Sequence, residues 1–121
     1  MFNFLRRSGQ PVGTIAPAEA KARHAKGEII LIDVRDGSEV AASGKAKGAL
    51  HIPLSVLAVK CDPKSGECPA ELRTNKPVVV YCASGMRSQR GAEALAELGY
   101  DQVFNMGGFG GWVAAGGAVS R

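Results

Sequence analysis

The chain has 121 residues, 45% hydrophobic and 21% charged, with a formal net charge of +4. That length suits one compact core rather than two, and the composition excludes a chain disordered over most of its length. The positive charges are scattered, with no run longer than Arg6-Arg7, and aromatics are scarce, so neither a nucleic-acid stripe nor a membrane span of roughly 20 apolar residues is expected.

Residues 1–13 read as an irregular segment ahead of a domain over 14–121. Phe2, Phe4 and Leu5 precede Arg6 and Arg7, which is the wrong order for a secretory signal. A frayed or loosely docked terminus of a cytoplasmic protein is expected. Pro17 opens a helix that runs to Lys26 and stops at Gly27. Ile29-Ile30-Leu31-Ile32, ended by Asp33, is a strand covered on both faces, as in a parallel sheet. Val34 to Ala42 is a turn and short helix, Ala49-Leu50 a brief strand, and Pro53 starts another short helix. Residues 60–76, with Pro63, Gly66 and Pro69, read as a long surface loop.

Val78-Val79-Val80-Tyr81 is a second buried strand, followed by Cys82-Ala83-Ser84-Gly85-Met86-Arg87-Ser88 and by a helix beginning near Ser88. That helix sets Ala92, Leu95 and Leu98 on one face and Glu93 and Glu97 on the other, and Gly99 ends it. Val103-Phe104 is a short strand. Six glycines between Gly107 and Gly117 predict tight turns rather than regular structure at the end of the chain. Strands alternating with helices give an α/β class with a mostly parallel sheet.

Ligands of such sheets bind at the carboxyl ends of the strands. Cys82 lies there, between a strand end and a helix N-terminus. Loop amides, the helix dipole and Arg87 all favour a thiolate, the form of cysteine that acts as a nucleophile. A small buried cysteine would need none of Ser84, Gly85, Arg87 and Ser88 after it, so a chemical role is preferred to packing alone.

Four segments in order resemble the motifs of the single-domain rhodaneses, the rhodanese-like sulfurtransferase family. They are Leu31-Ile32-Asp33-Val34-Arg35-Asp36, Gly48-Ala49-Leu50-His51-Ile52-Pro53, Tyr81 to Ser88, and Gly107-Gly108 with Trp112 and Gly116-Gly117-Ala118-Val119. The likeness runs from about Thr14 to Val119. It departs at Gly44-Lys45-Ala46-Lys47-Gly48, where the family usually has a histidine and a proline. The resemblance implies a three-layer domain with a five-stranded, mostly parallel sheet and helices on both faces. It implies that Cys82 takes a sulfane sulfur from a small anionic donor such as thiosulfate, holds it as a persulfide and yields it to a thiol, cyanide or protein acceptor. Ala83, Ser84, Gly85, Met86, Arg87 and Ser88 would form the cradle, with Arg87 orienting the donor. No metal or organic cofactor is implied, and a small open pocket would suit a monomer. Related phosphatases and arsenate reductases use Cys-x5-Arg, whereas Arg87 is the fifth residue after Cys82, the shorter sulfurtransferase spacing. A non-catalytic module that binds a protein partner is the other alternative; the intact loop argues against it.

The remaining candidates carry structural expectations. Asp33 and Arg35, at the sheet's carboxyl edge, support the pocket, with Arg35 pairing to a carboxylate such as Glu39. His51 packs a turn, and His24 is a solvated residue of a surface helix. Cys61 and Cys68 are either two surface-loop thiols or a local disulfide, half of a metal site or a resolving pair for Cys82; without nearby histidines they fall short of a zinc site. Met106, Phe109 and Trp112 are expected in the core rather than at the pocket mouth.

Overall fold

Residues 12–121, which the computed structural model describes, alternate strand and helix as the apolar runs predict. The elements are β1 (Gly13–Thr14), α1 (Pro17–Ala25), β2 (Ile30–Asp33), α2 (Gly37–Ser43), β3 (Lys45–Ala46), β4 (Leu50–His51) and α3 (Leu54–Lys60). A 3₁₀ turn (Ala70–Arg73), β5 (Val78–Cys82), α4 (Met86–Glu97), β6 (Val103–Gly108), α5 (Phe109–Ala114) and β7 (Val119–Ser120) follow. The expectations for the N-terminal segment lie outside the described residues, except that Gly13 already belongs to β1. No helix among the described residues is long and apolar enough to cross a membrane.

Five strands form one parallel sheet in the order β1-β6-β5-β2-β4. β5 is central and buried at all five positions, so its unbroken apolar run is what a strand covered on both faces requires. Side chains alternate along it. Val78, Val80 and Cys82 join Ile32, Leu57, Ala92 and Leu95 in the core under α3 and α4. Val79 and Tyr81 join Ala20, Leu31, Met106 and Trp112 in the core under α1 and α5. The period of two in a strand thus decides which helix layer each residue meets.

The C-terminal glycines are more regular than expected. Phe109–Ala114 is helical, and Val119–Ser120 pairs antiparallel with Lys45–Ala46 as a separate two-stranded sheet. Burial of Trp112, whose indole N–H donates to Ala118 O at 2.8 Å, supplies the tertiary contact that overrides the helix-weakening glycines. His24 departs from a solvated residue in the same way. Its ring meets Trp112 edge-on at 6.1 Å, and partial burial lowers its pKa below the ordinary value.

Beneath the end of β2 lies an enclosed ion pair. Arg35 donates from Nη2 to Asp33 Oδ2 at 2.8 Å and from Nε to both carboxylate oxygens at 3.1 Å. Ser43 Oγ and Gly44 O take its remaining donors at 2.9 and 2.8 Å. The guanidinium also lies 4.4 Å from the Phe109 ring centroid, and Phe109 stacks on Tyr81. Arg35 therefore pairs with Asp33, two residues away, and not with Glu39. A pair this enclosed is costly to break from one side, because the surviving charge stays buried. Asp33→Asn is expected to destabilise the domain by about 3 kcal/mol, read from the urea midpoint; an unchanged midpoint would show that the pair contributes nothing net.

Candidate active site

The chain leaves β5 at Cys82 and re-enters helix at Met86, with only three residues between them. So tight a turn needs a left-handed residue, and Gly85 supplies it at φ 99° as the N-cap of α4. A side chain there would also press on the Gly107 backbone, its Cβ 3.3 Å from Gly107 Cα. The first amides of a helix have no partner within it. Here they find the sulfur of Cys82: Gly85 N donates to Sγ at 3.0 Å and Ser88 N at 3.3 Å. The Ser88 hydroxyl lies 3.3 Å from the same atom.

These contacts favour ionisation of the sulfur. Burial by itself would raise the Cys82 pKa. Hydrogen bonds from the Ser88 hydroxyl and amide and from the Gly85 amide, with a contribution from the Ser84 amide, outweigh it and lower the pKa below an ordinary thiol's. The sulfur is held by neutral dipoles that favour its ionised form. Ser88 and Cys82 are fully buried, while Ala83, Ser84 and Met86 are exposed around them, Met86 at 74%.

A residue that sequence reasoning missed, Asn105, holds this loop in place. The β5–β6 register shifts between Val80, opposite Asn105, and Tyr81, opposite Gly107. That bulge adds Met106 to β6 and re-aims its neighbours. Asn105 Oδ1 accepts from the Ser88 hydroxyl at 2.7 Å and from Gly107 N at 2.9 Å. Its Nδ2 donates to Gly85 O at 3.0 Å and Gln89 Oε1 at 3.1 Å. Because Gly107 N can only donate and Gly85 O can only accept, the amide has one orientation. The Ser88 hydroxyl consequently gives its proton to Asn105 while Cys82 is a thiol, and has a charged acceptor to turn to once Cys82 is ionised. The one sequence signal was an amide placed between Phe104 and Met106 in an otherwise apolar strand.

Arg87, expected to orient the donor, is paired within the chain. Its Nη1 and Nη2 donate to Glu39 Oε1 and Oε2 at 2.7 and 2.9 Å, with Asp36 Oδ2 4.0 Å away. Those bonds, and the Asp36 amide, hold the Glu39 carboxyl down to about 2. The guanidinium that was to receive an oxyanion thus already grips a carboxylate from α2.

The other candidates stand apart from the sulfur. Asp33 lies beside Tyr81 in register, so alternation puts it and Arg35 on the α1/α5 side, opposite Cys82. His51 Nε2 lies 2.8 Å from Arg35 O and helps hold that turn. Met106 and Trp112 are core residues, and Phe109 is half-buried over Arg35. Cys61 is no surface-loop thiol: it caps α3, is fully buried, and its pKa is pushed up to about 12 by that burial and by the nearby Cys68. Cys68 is half-buried, its Sγ 3.9 Å from Cys61 O. A cavity of about 540 Å³ lined by Arg73, Lys76, Tyr100 and Gln102 opens at the amino ends of β5 and β6 and includes none of residues 82–88. The chemistry of Cys82, not cavity size, locates the site.

Comparison with known proteins identifies the family of the domain. The model of the rhodanese-like domain matches residues 16–115. The thiosulfate sulfurtransferase GlpE of Actinobacillus succinogenes is 38% identical over 88 residues, 72% of this chain and 71% of that protein. The uncharacterized protein YqhL of Bacillus subtilis is 37% identical over 100 residues, 82% of this chain and 71% of its own. Among solved structures, a Rhodopseudomonas palustris protein of unknown function, described as a possible tyrosine phosphatase, aligns with a TM-score of 0.82 at 31% identity, covering 97% of this chain and 91% of that one. The human single-domain sulfurtransferase TSTD1 aligns at 0.71 and 29% identity, covering 86% and 97%. The chain belongs to the rhodanese-like domain family.

Proposed function

We propose that this protein is a sulfurtransferase that carries sulfane sulfur on Cys82. The observation that carries the reading is the set of donors converging on one buried sulfur at a strand-to-helix turn. The kinship with a thiosulfate sulfurtransferase supports it. In the first half-reaction the Cys82 thiolate attacks the outer sulfur of thiosulfate. The donor's S–S bond breaks, sulfite leaves with the electron pair, and Cys82 becomes a persulfide anion. In the second, a thiol, cyanide or protein nucleophile attacks the outer sulfur, and the Cys82 thiolate returns. Charge moves from one sulfur to the next without needing a general base, so amides aimed at the sulfur are the main requirement.

The spacing favours sulfur over phosphate. With Gly85 and Ser88 amides already on Sγ, the Cys-x4-Arg loop suits one added sulfur atom better than a tetrahedral oxyanion. Hydrolysis of a chromogenic phosphate ester that depended on Cys82 would replace the proposal with a phosphatase.

Incubation with thiosulfate is expected to add one sulfur atom to the intact mass of the wild type. The gain should be removed by a reductant and absent in Cys82→Ser, which should stay folded. Failure to gain mass from any sulfane donor would refute the proposal.

Ser88→Ala takes a donor from the charged thiolate, and from the thiol form only the neutral bond to Asn105. The pH midpoint of Cys82 alkylation is therefore expected below that of an ordinary thiol in the wild type and to move up in the variant. Coincident midpoints would mean that the hydroxyl does not stabilise the nucleophile.

A further inference from the structure

Arg87 approaches the loop mouth from the first turn of α4, and Glu39 meets it from the first turn of α2. Both ends of the guanidinium fork are engaged, at 2.7 and 2.9 Å. This bidentate fit is the one an oxyanion would make. Glu39 thus fills the fork with a carboxylate built into the chain.

Glu39 is also held from behind. It is the third residue of α2, and its Oε1 accepts the Asp36 amide at 3.0 Å in a capping box. The carboxylate is thus ordered before any donor arrives. Asp36, 4.0 Å from the same guanidinium, adds a second negative charge. Two carboxylates against one guanidinium leave this edge of the mouth negative, although the whole chain carries +4.

On these grounds, and resting on the sulfurtransferase reading above, we infer that Glu39 is a specificity-determining residue: it competes with the donor for Arg87 and so favours an organic persulfide over the thiosulfate dianion. A dianion must displace Glu39 to reach the fork and then bind beside the carboxylate it has freed. A persulfide R–S–SH has no sulfonate to place there. Cys82 thiolate attacks its outer sulfur, the donor's S–S bond breaks, RS⁻ leaves with the electron pair, and the proton stays on the transferred sulfur. Only the loop amides are needed for that step.

Glu39→Gln removes the charge and keeps the capping box, which glutamine also forms. The full chain would be assayed with thiosulfate and with the persulfide of an uncharged alkyl thiol, as wild type, Glu39→Gln, Arg87→Ala and the double variant, with melting curves to check folding. Glu39→Gln is expected to lower KM for thiosulfate by about three- to tenfold, with kcat little changed and KM for the persulfide unmoved. Arg87→Ala should raise KM for thiosulfate, and in that background Glu39→Gln should have no further effect, since the charge acts through the fork. A KM for thiosulfate that stays the same or rises in folded Glu39→Gln would overturn the inference. So would an equal gain for both donors, or a gain that persists without Arg87, and each of these would leave sulfur transfer itself intact. Absence of loading on wild-type Cys82 from either donor would instead remove the sulfurtransferase reading, and the inference with it.

Discussion

The backbone amides of Gly85 and Ser88 point at a single sulfur atom, and much of the structure exists to keep them there. A buried thiolate is unfavourable unless donors replace the water it has lost. Here those donors are dipoles of the chain itself, available because a helix begins where a strand ends. The requirement propagates outward. The turn must be short, so Gly85 is left-handed. The neighbouring strand must close over it, so a Cβ at Gly108 would collide with Ala83 O. The loop must not drift, so Asn105 ties Gly85, Ser88, Gln89 and Gly107 together.

The sheet separates chemistry from support by the simple alternation of β5. Cys82 faces the α3 and α4 layer, where Ser88 and the α4 N-terminus meet it. Tyr81, one residue earlier, faces the other layer, where its hydroxyl accepts the Ala46 amide at 2.9 Å and its ring stacks on Phe109. The Asp33–Arg35 pair sits on that second side. It braces the carboxyl edge of the sheet from the face opposite Cys82.

Charge at the mouth is arranged differently from charge over the whole chain. The surface is basic in total, but the cation nearest the nucleophile's loop, Arg87, is already paired with Glu39. A family resemblance assigns a position to an arginine; what that arginine can bind depends on which carboxylate reaches it first.

The class, the parallel sheet and the position of Cys82 were legible in the sequence because each rests on local pattern. Four apolar residues before Asp33 and four before Cys82 can only be strands covered twice. A cysteine between such a strand and an amphipathic helix is placed by connectivity alone. Contacts between distant segments were not legible. Asn105 reaches Ser88 across 17 positions through a bulge, Glu39 reaches Arg87 across 48, and Trp112 makes a helix of a glycine-rich stretch by being buried. Local periodicity determined where the sulfur is, between a strand end and a helix start. The tertiary structure decided which side chains orient it and which carboxylate holds the arginine at its mouth, because hydrogen-bond partners are chosen by proximity in space.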